Sequence, residues 1–178
     1  MTDREFWVQL DKIADKPFSS KRGIKFMEEL ADGYTSNRKI MAGVVFHDES
    51  NRKNVHMSYQ AVGGYRFYNC FTARKYANWF YQRFGSEWAV LSLRDVLKNI
   101  FMRDSAGGII FNPFADGSDP EGKHTVFVMK PLIRVILSEK TSEMMDGTLY
   151  DVGGDSDITA DEIKRQMRKI YDAFLKDV

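Results

Sequence analysis

Strand-like and helix-like segments alternate through the middle of the chain, and this order limits the possible folds more than any other property of the sequence. Runs rich in β-branched and aromatic residues stand at 40–46, 55–62 and 65–71, with turn-prone residues between them. Apolar residues then recur at helical spacing in 72–84 and again in 93–103. The alternation predicts an α/β fold in which a mixed sheet carries helices packed on it.

Further strands are predicted at 87–93, 107–114 and 124–129, which gives a sheet of about six strands. The Gly63-Gly64 pair lies where a tight hairpin needs a positive φ, which glycine adopts without a side-chain clash. We therefore expect the strands on either side of this pair to be antiparallel. Gly85 follows the helix 72–84 at the position of a C-terminal cap.

Helices are predicted at both ends of the chain. Thr2 and Glu5 have the spacing of a capping box, and the apolar stripe behind them ends before Pro17. A second helix should open at Ser19 or Ser20 and stop at a turn containing Gly33. We predict one compact domain over residues 1–178, with a helical segment at 1–33, a core at 40–140, and an acidic loop and helix at 141–178. The predicted stripe of the first helix consists of Phe6, Leu10, Ile13 and Ala14.

The charge balance and the short apolar stretches of the chain argue against several function classes. The 178 residues include 26 Lys and Arg against 25 Asp and Glu, so the net charge of +1 gives no long-range field toward nucleic acid or an anionic membrane. No uncharged stretch approaches the roughly 20 residues that span a bilayer, and the first residues lack a signal-peptide core. We expect a soluble cytoplasmic protein with neither a membrane nor a nucleic-acid partner.

Between about Met57 and Phe127 the order of features resembles the SseB N-terminal domain family. The matching parts are a strand running into an aromatic helix (YNCFTARKYANWFY), a strand running into an amphipathic helix (WAVLSLRDVLKNIF), a glycine-led strand ending in Asn-Pro (GGIIFNPF) and a further strand (TVFVM). The resemblance implies a mixed α/β domain and supplies no catalytic residue set. An α/β scaffold with no convergent polar triad in its sequence fits a protein-binding or regulatory module better than an enzyme.

Aromatic side chains are the candidate contacts for a protein partner, because aromatic residues concentrate binding energy at interfaces. We expect the partner to be another protein, with a second copy of this chain as the alternative. The proline at 113 should push Asn112 toward extended backbone, and the Asn side chain can bond neighbouring amides, as in a strand-ending turn or a ligand cleft. The candidate partner-binding residues are Trp79, Tyr81, Trp88, Asn112, Pro113 and Phe114.

A second hypothesis is a ligand- or metal-dependent protein, with an enzyme of unknown reaction included. Residues 151–162 have the length and part of the ligand pattern of an EF-hand calcium loop. Gly153 and Ser156 depart from that pattern, so any binding of Ca²⁺ should be weak, and the alternative is an acidic loop capping the last helix. We expect no cofactor under the leading hypothesis. The candidate calcium ligands are Asp151, Asp155, Asp157, Thr159 and Glu162.

Two other chemistries have weaker support. Cys70 is the only cysteine, and it could be a nucleophile if the fold brought His47 or His56 to it. A lone cysteine among aromatic residues is more often a buried small hydrophobe. The helix 72–84 mixes basic and aromatic side chains, as surfaces that stack single-stranded bases do, but aromatics at helical spacing usually fill a core.

Overall fold

The computed structural model describes residues 1–17, 19–46, 55–62, 64–117, 119 and 122–137, which form five helices and seven strands. The helices are α1 (Asp3–Ala14), α2 (Ser20–Thr35), α3 (Arg74–Phe84), α4 (Leu93–Phe101) and α5 (Lys130–Leu137). The strands are β1 (Lys39–Phe46), β2 (Val55–Met57), β3 (Tyr59–Val62), β4 (Tyr65–Phe71), β5 (Glu87–Ser92), β6 (Ala106–Phe111) and β7 (Val126–Met129). The predicted terminal loop and helix at 141–178 lie outside the described residues.

The first helix is the one that the sequence predicts. Its capping box is complete, since the Thr2 hydroxyl accepts from the Glu5 amide at 3.2 Å and the Glu5 carboxylate accepts from the Thr2 amide. The hydrogen bond also lowers the pKa of Glu5. The four residues of the predicted apolar stripe are all buried.

The second helix differs from its prediction at its C-terminal end. It begins after Ser19, whose hydroxyl accepts from the Arg22 amide at 3.0 Å, but it runs through Gly33 to Thr35. Gly33 allows α2 to lie close to Phe6 of α1, because a Cβ at position 33 would lie 2.4 Å from Cζ of Phe6. Gly33 therefore lets α1 and α2 pack together instead of ending α2.

All seven strands belong to one mixed sheet, as predicted. Its main path is β5-β1-β4-β6-β7, in which β4 and β6 are parallel neighbours and the other pairs are antiparallel. The hairpin between β3 and β4 is confirmed, with Val62 opposite Tyr65 and Gly64 at φ +84°. Gly85 caps α3 in the left-handed conformation, which also matches its prediction.

The strand predicted at 55–62 is two strands, because the chain changes partners at Ser58. The Ser58 amide donates to the Gly43 carbonyl of β1 at 2.9 Å, and the Ser58 carbonyl accepts from the Asn69 amide of β4 at 3.2 Å. Before this residue β2 pairs with β1, and after it β3 pairs with β4. The chain thus fills the fork where β1 and β4 separate.

Helices cover both faces of the sheet, and each face has its own hydrophobic core. Helices α1, α2, α4 and α5 cover the face that carries Ile40, Tyr68 and Ile109. Helix α3 covers the face that carries Met41 and Phe71. The fold is therefore the predicted α/β architecture, arranged as three layers. None of the helices in the described ranges is long and apolar enough to cross a membrane.

Candidate functional site

The edge of the sheet at β5 combines an open strand with partly exposed apolar side chains. Strand β5 pairs with β1 from Glu87 to Ser92, and within the described residues it pairs with no other strand. None of its six residues is buried. The outer edge of β5 is thus open among the parts of the chain that the structure describes.

Three side chains give this edge an apolar face, and we call them the α3–β5 surface: Tyr81, Trp88 and Val90. Trp88 packs partly against the core under α3, and its indole Nε1–H donates to Oδ1 of Asn78 at 3.1 Å. Tyr81 is 48% exposed and Val90 is 39% exposed. The hydrogen bond fixes the Trp88 ring in place, and the side chains of Tyr81 and Val90 face solvent.

Trp79, the other predicted aromatic contact on α3, belongs to the interior. Its ring lies 5.8 Å from that of Phe84 and 6.5 Å from that of Phe114, both in edge-to-face arrangements. The ring also covers Gly117, where a Cβ would come within 2.7 Å of it. Trp79 is therefore half-buried in an aromatic cluster, whereas Tyr81 on the same helix faces outward.

The Asn112–Phe114 motif is buried, so its side chains offer no exposed contact surface. Asn112 is 0% exposed, and Pro113 and Phe114 are buried as well. The expected extended backbone is wrong, because Asn112 has φ +55°. Its Oδ1 accepts from the Thr72 amide at 2.9 Å and its Nδ2 donates to the Thr72 hydroxyl at 2.7 Å. The Asn112 side chain thus joins the carboxyl ends of the parallel neighbours β4 and β6.

Strained backbone extends beyond Asn112 in the turn that follows β6. Phe114 has φ +61° and Ala115 has φ +50°, both in the left-handed region that non-glycine residues rarely adopt. The Ala115 amide donates to the Asn112 carbonyl at 3.0 Å, and the Thr125 hydroxyl donates to the same carbonyl at 3.0 Å. These bonds hold the turn closed over the Phe114 ring.

Polar side chains from distant parts of the chain gather beside this turn, and no local pattern predicts them. The Thr72 hydroxyl donates to Oδ1 of Asp11 at 2.7 Å. Nδ1 of His124 lies 2.8 Å from Oδ1 of Asp15, with side chains that are 25% and 62% exposed. Burial, followed by the charge of Asp11, raises the pKa of Tyr76, whose ring lies near that of His124. Nδ1 of His124 is itself buried, and Asp15 lines a cavity of about 570 Å³ between α1 and α2.

Neither the cysteine nor the metal hypothesis gains a site within the described ranges. Cys70 is 0% exposed in the core, and burial raises the pKa of its thiol, so its interpretation as a small hydrophobe is confirmed. His47 and the five candidate calcium ligands of 151–162 lie outside the described residues. His56 lies on β2 opposite Val45. Among the residues that the structure describes, no three His, Cys, Asp or Glu side chains are grouped to hold a metal ion.

The sequence alone indicates Tyr81 and Trp88 as contact residues but does not show that they share a surface. Val90 escapes notice in the sequence because it lies within an ordinary strand pattern, and only the pairing of β5 with β1 makes it an edge residue. Comparison of the chain with protein-family models, with curated proteins and with solved structures finds no match.

Proposed function

We propose that this chain is a non-catalytic protein-binding module whose partner, another protein, adds a strand to the open edge of β5. The observation that carries the proposal is the edge strand itself, which lies beside the α3–β5 surface. Main-chain hydrogen bonds to an added strand supply affinity, and side chains next to the edge supply specificity.

The composition of β5 supports this use of its edge. Natural edge strands usually carry lysine, proline or a bulge that prevents pairing with other chains. Strand β5 reads EWAVLS, with one charge at its first residue and none of these protections, and its pairing with β1 is regular from end to end. The other edge strand of the main path, β7, has two of its four residues buried, whereas β5 has none.

The side chains of the α3–β5 surface suit an interface. Aromatic rings bury a large area with few rotatable bonds, so little entropy is lost when a partner covers them. The hydrogen bond from Trp88 to Asn78 orients the indole before any partner binds. Trp88 and Val90 are two residues apart on a strand, so both point to the face that α3 covers, and Tyr81 is an exposed residue of α3.

Membership of the SseB N-terminal family and a cytoplasmic location belong to the same proposal. The family resemblance depends on the sequence features between Met57 and Phe127, and it supplies no catalytic residue set. A site that works through contacts and not through chemistry is consistent with an aromatic edge of this kind.

Site-specific photo-crosslinking in the living cell tests the proposal. The photoreactive residue benzoylphenylalanine is placed at Val90 or at Tyr81, and as a matched control at Tyr65, which is 57% exposed at the start of β4. We expect an adduct of one defined mass from positions 90 and 81 and none from position 65. An adduct at all three positions, or at none, contradicts the proposal.

A charge on the edge provides the second arm of the test. In this arm the photoreactive residue replaces Tyr81. Val90→Lys should then reduce the yield of the crosslinked complex at least tenfold, because a lysine in the interface must lose its hydration. Val8→Lys on α1, where the valine is 45% exposed, is the matched control and should leave the yield unchanged. An adduct with twice the mass of the chain would identify a second copy as the occupant and would contradict a partner of another kind.

A further inference from the structure

We propose that a groove beside β3 and β4 binds the phosphate group of a small organic phosphate. The groove is a cavity of about 360 Å³, within the usual size range of small-molecule sites. It lies away from the α3–β5 surface, on the part of the sheet where the chain fills the fork between β1 and β4. We call it the Arg66–Arg103 groove, and the side chains that matter in its lining are His56, Ser58, Tyr59, Arg66, Tyr68 and Arg103.

The fold brings two arginines to this groove from distant positions in the sequence. Arg66 stands opposite Ala106 of β6, and its amide donates to the Ser105 carbonyl at 2.8 Å. Arg103 lies in the turn that leads into β6, where its amide donates to the Ile100 carbonyl at 3.2 Å. Because β4 and β6 are neighbours, the two guanidinium groups line one cavity.

The charge of the groove's described lining is positive. Among the residues that the structure describes, no aspartate or glutamate lines this cavity. The Arg66 guanidinium lies over the Tyr59 ring, 4.4 Å from its centre, and this contact holds the side chain in position. Asp95 and Arg103 both line a neighbouring cavity, and Asp104 follows Arg103 along the chain, yet within the described residues neither carboxylate forms an ion pair with Arg66 or Arg103. Two guanidinium groups at one cavity, without a carboxylate among its described lining, favour an anion between them.

A buried hydroxyl without a partner supplies the second observation. Tyr68 is 2% exposed, and within the described residues its hydroxyl has no hydrogen-bond partner. Tyr68 lines the Arg66–Arg103 groove and also a neighbouring cavity of about 280 Å³. Leaving such a group unsatisfied is unfavourable, so an oxygen atom that reaches it, directly or through one water, gains affinity.

The arrangement of donors favours phosphate over carboxylate. Arg66 and Tyr68 line the cavity from β4, and Arg103 lines it from the turn before β6. A phosphomonoester has three non-bridging oxygens, one for each donor, and at neutral pH it carries up to two negative charges. A carboxylate has two oxygens and one charge, so it leaves one donor unpaired.

Titration of the full chain with phenyl phosphate, followed by NMR of backbone amides, tests the proposal. We expect saturable shifts at residues around the groove, with a Kd that Arg66→Gln and Arg103→Gln each raise about tenfold. Arg74→Gln at the exposed start of α3 changes the net charge equally and should leave the Kd unchanged. Equal weakening by all three substitutions would reveal only a general charge effect and would overturn the proposal.

Further probes and one further variant make the test specific. Phenol should cause no saturable shifts, and benzoate should bind at least tenfold more weakly than phenyl phosphate. Tyr68→Phe should weaken phenyl phosphate severalfold without lowering the thermal stability of the free protein, because it removes a hydroxyl that has no partner. We expect a Kd of about 1 mM for phenyl phosphate. Benzoate binding as tightly as phenyl phosphate, or no saturation by phenyl phosphate up to about 10 mM, would overturn the proposal.

Discussion

At position 112 the backbone passes through the left-handed region while the side chain lies wholly inside the protein. Asparagine tolerates that backbone better than most other non-glycine residues, and its side-chain amide bonds the backbone amide and the hydroxyl of Thr72. Asn112→Ala should therefore lower the free energy of unfolding by about 2–4 kcal/mol, from an unsatisfied buried amide together with backbone strain. Urea denaturation of the variant measures the change.

Asn112→Gly separates these two causes. Glycine adopts a positive φ freely, so this variant should lose the hydrogen bonds but avoid about 1 kcal/mol of strain relative to alanine. A loss below about 0.5 kcal/mol for Asn112→Ala would contradict the structural role given to the side chain. Equal losses for both variants would contradict the part assigned to backbone strain.

Cys70 should be protected from thiol reagents in the native protein. The thiolate is the reactive form, and burial raises the pKa of this thiol, so both access and ionisation oppose reaction. We expect modification by Ellman's reagent to be at least about 10³-fold slower in the native protein than in urea, at pH 8 and at pH 9, because reaction has to wait for unfolding. Reaction within tenfold of the unfolded rate would contradict the burial of Cys70.

Local sequence predicts the contacts of residues whose partners are close in the chain, but it does not predict the hydrogen bonds or the backbone conformation of Asn112. The capping pair Thr2 and Glu5 is three residues apart, and its geometry is as predicted. The partner of Asn112 is Thr72, 40 residues away, and the proline at 113 indicates the opposite backbone conformation. The bonds to Thr72 outweigh that local preference, and no spacing in the sequence reveals them.

At the scale of elements, the two glycines of α2 allow a matched experiment. Gly33→Ala places a methyl group 2.4 Å from Phe6 and should lower the free energy of unfolding by about 1–2 kcal/mol, since the strain exceeds the gain in helix propensity. Gly23→Ala in the same helix meets nothing within 4 Å and should raise it by about 0.5–1 kcal/mol. Thermal and urea unfolding of the two variants give the comparison, and the same sign for both would contradict the α1–α2 contact.

The sequence predicts whether a segment is a helix or a strand better than it predicts where that element ends, because packing against other elements sets the ends. The stripe of α1 and the cap of α3 depend on residues within one helix, and both are confirmed. The break of the predicted strand 55–62 at Ser58 depends on β1 and β4 separating, and the passage of α2 through Gly33 depends on the position of Phe6. Both deviations arise from contacts with other elements, which propensity does not contain.

Across the whole molecule, strand order decides which predicted residues can meet a partner. The sequence predicts a mixed sheet with helices but not its strand order. The parallel pairing of β4 with β6 joins two strands that α3, β5 and α4 separate along the chain. That pairing buries Asn112, brings Arg66 to the turn that holds Arg103, and leaves β5 at an edge with Trp88 and Val90. Tyr81 and Val90 are exposed, whereas Trp79 and Trp88 are both partly buried against the core under α3.

Amide hydrogen exchange along β5 in the purified protein tests the open edge most directly. In an antiparallel edge strand alternate amides donate to the neighbouring strand while the others point away from it. We predict that about half of the amides from Glu87 to Ser92 exchange slowly, in alternation with fast ones, whereas those of β1 between Met41 and Val44 are slow throughout. Slow exchange at all six β5 amides would mean that the edge is already covered, and it would contradict the binding surface proposed for this protein.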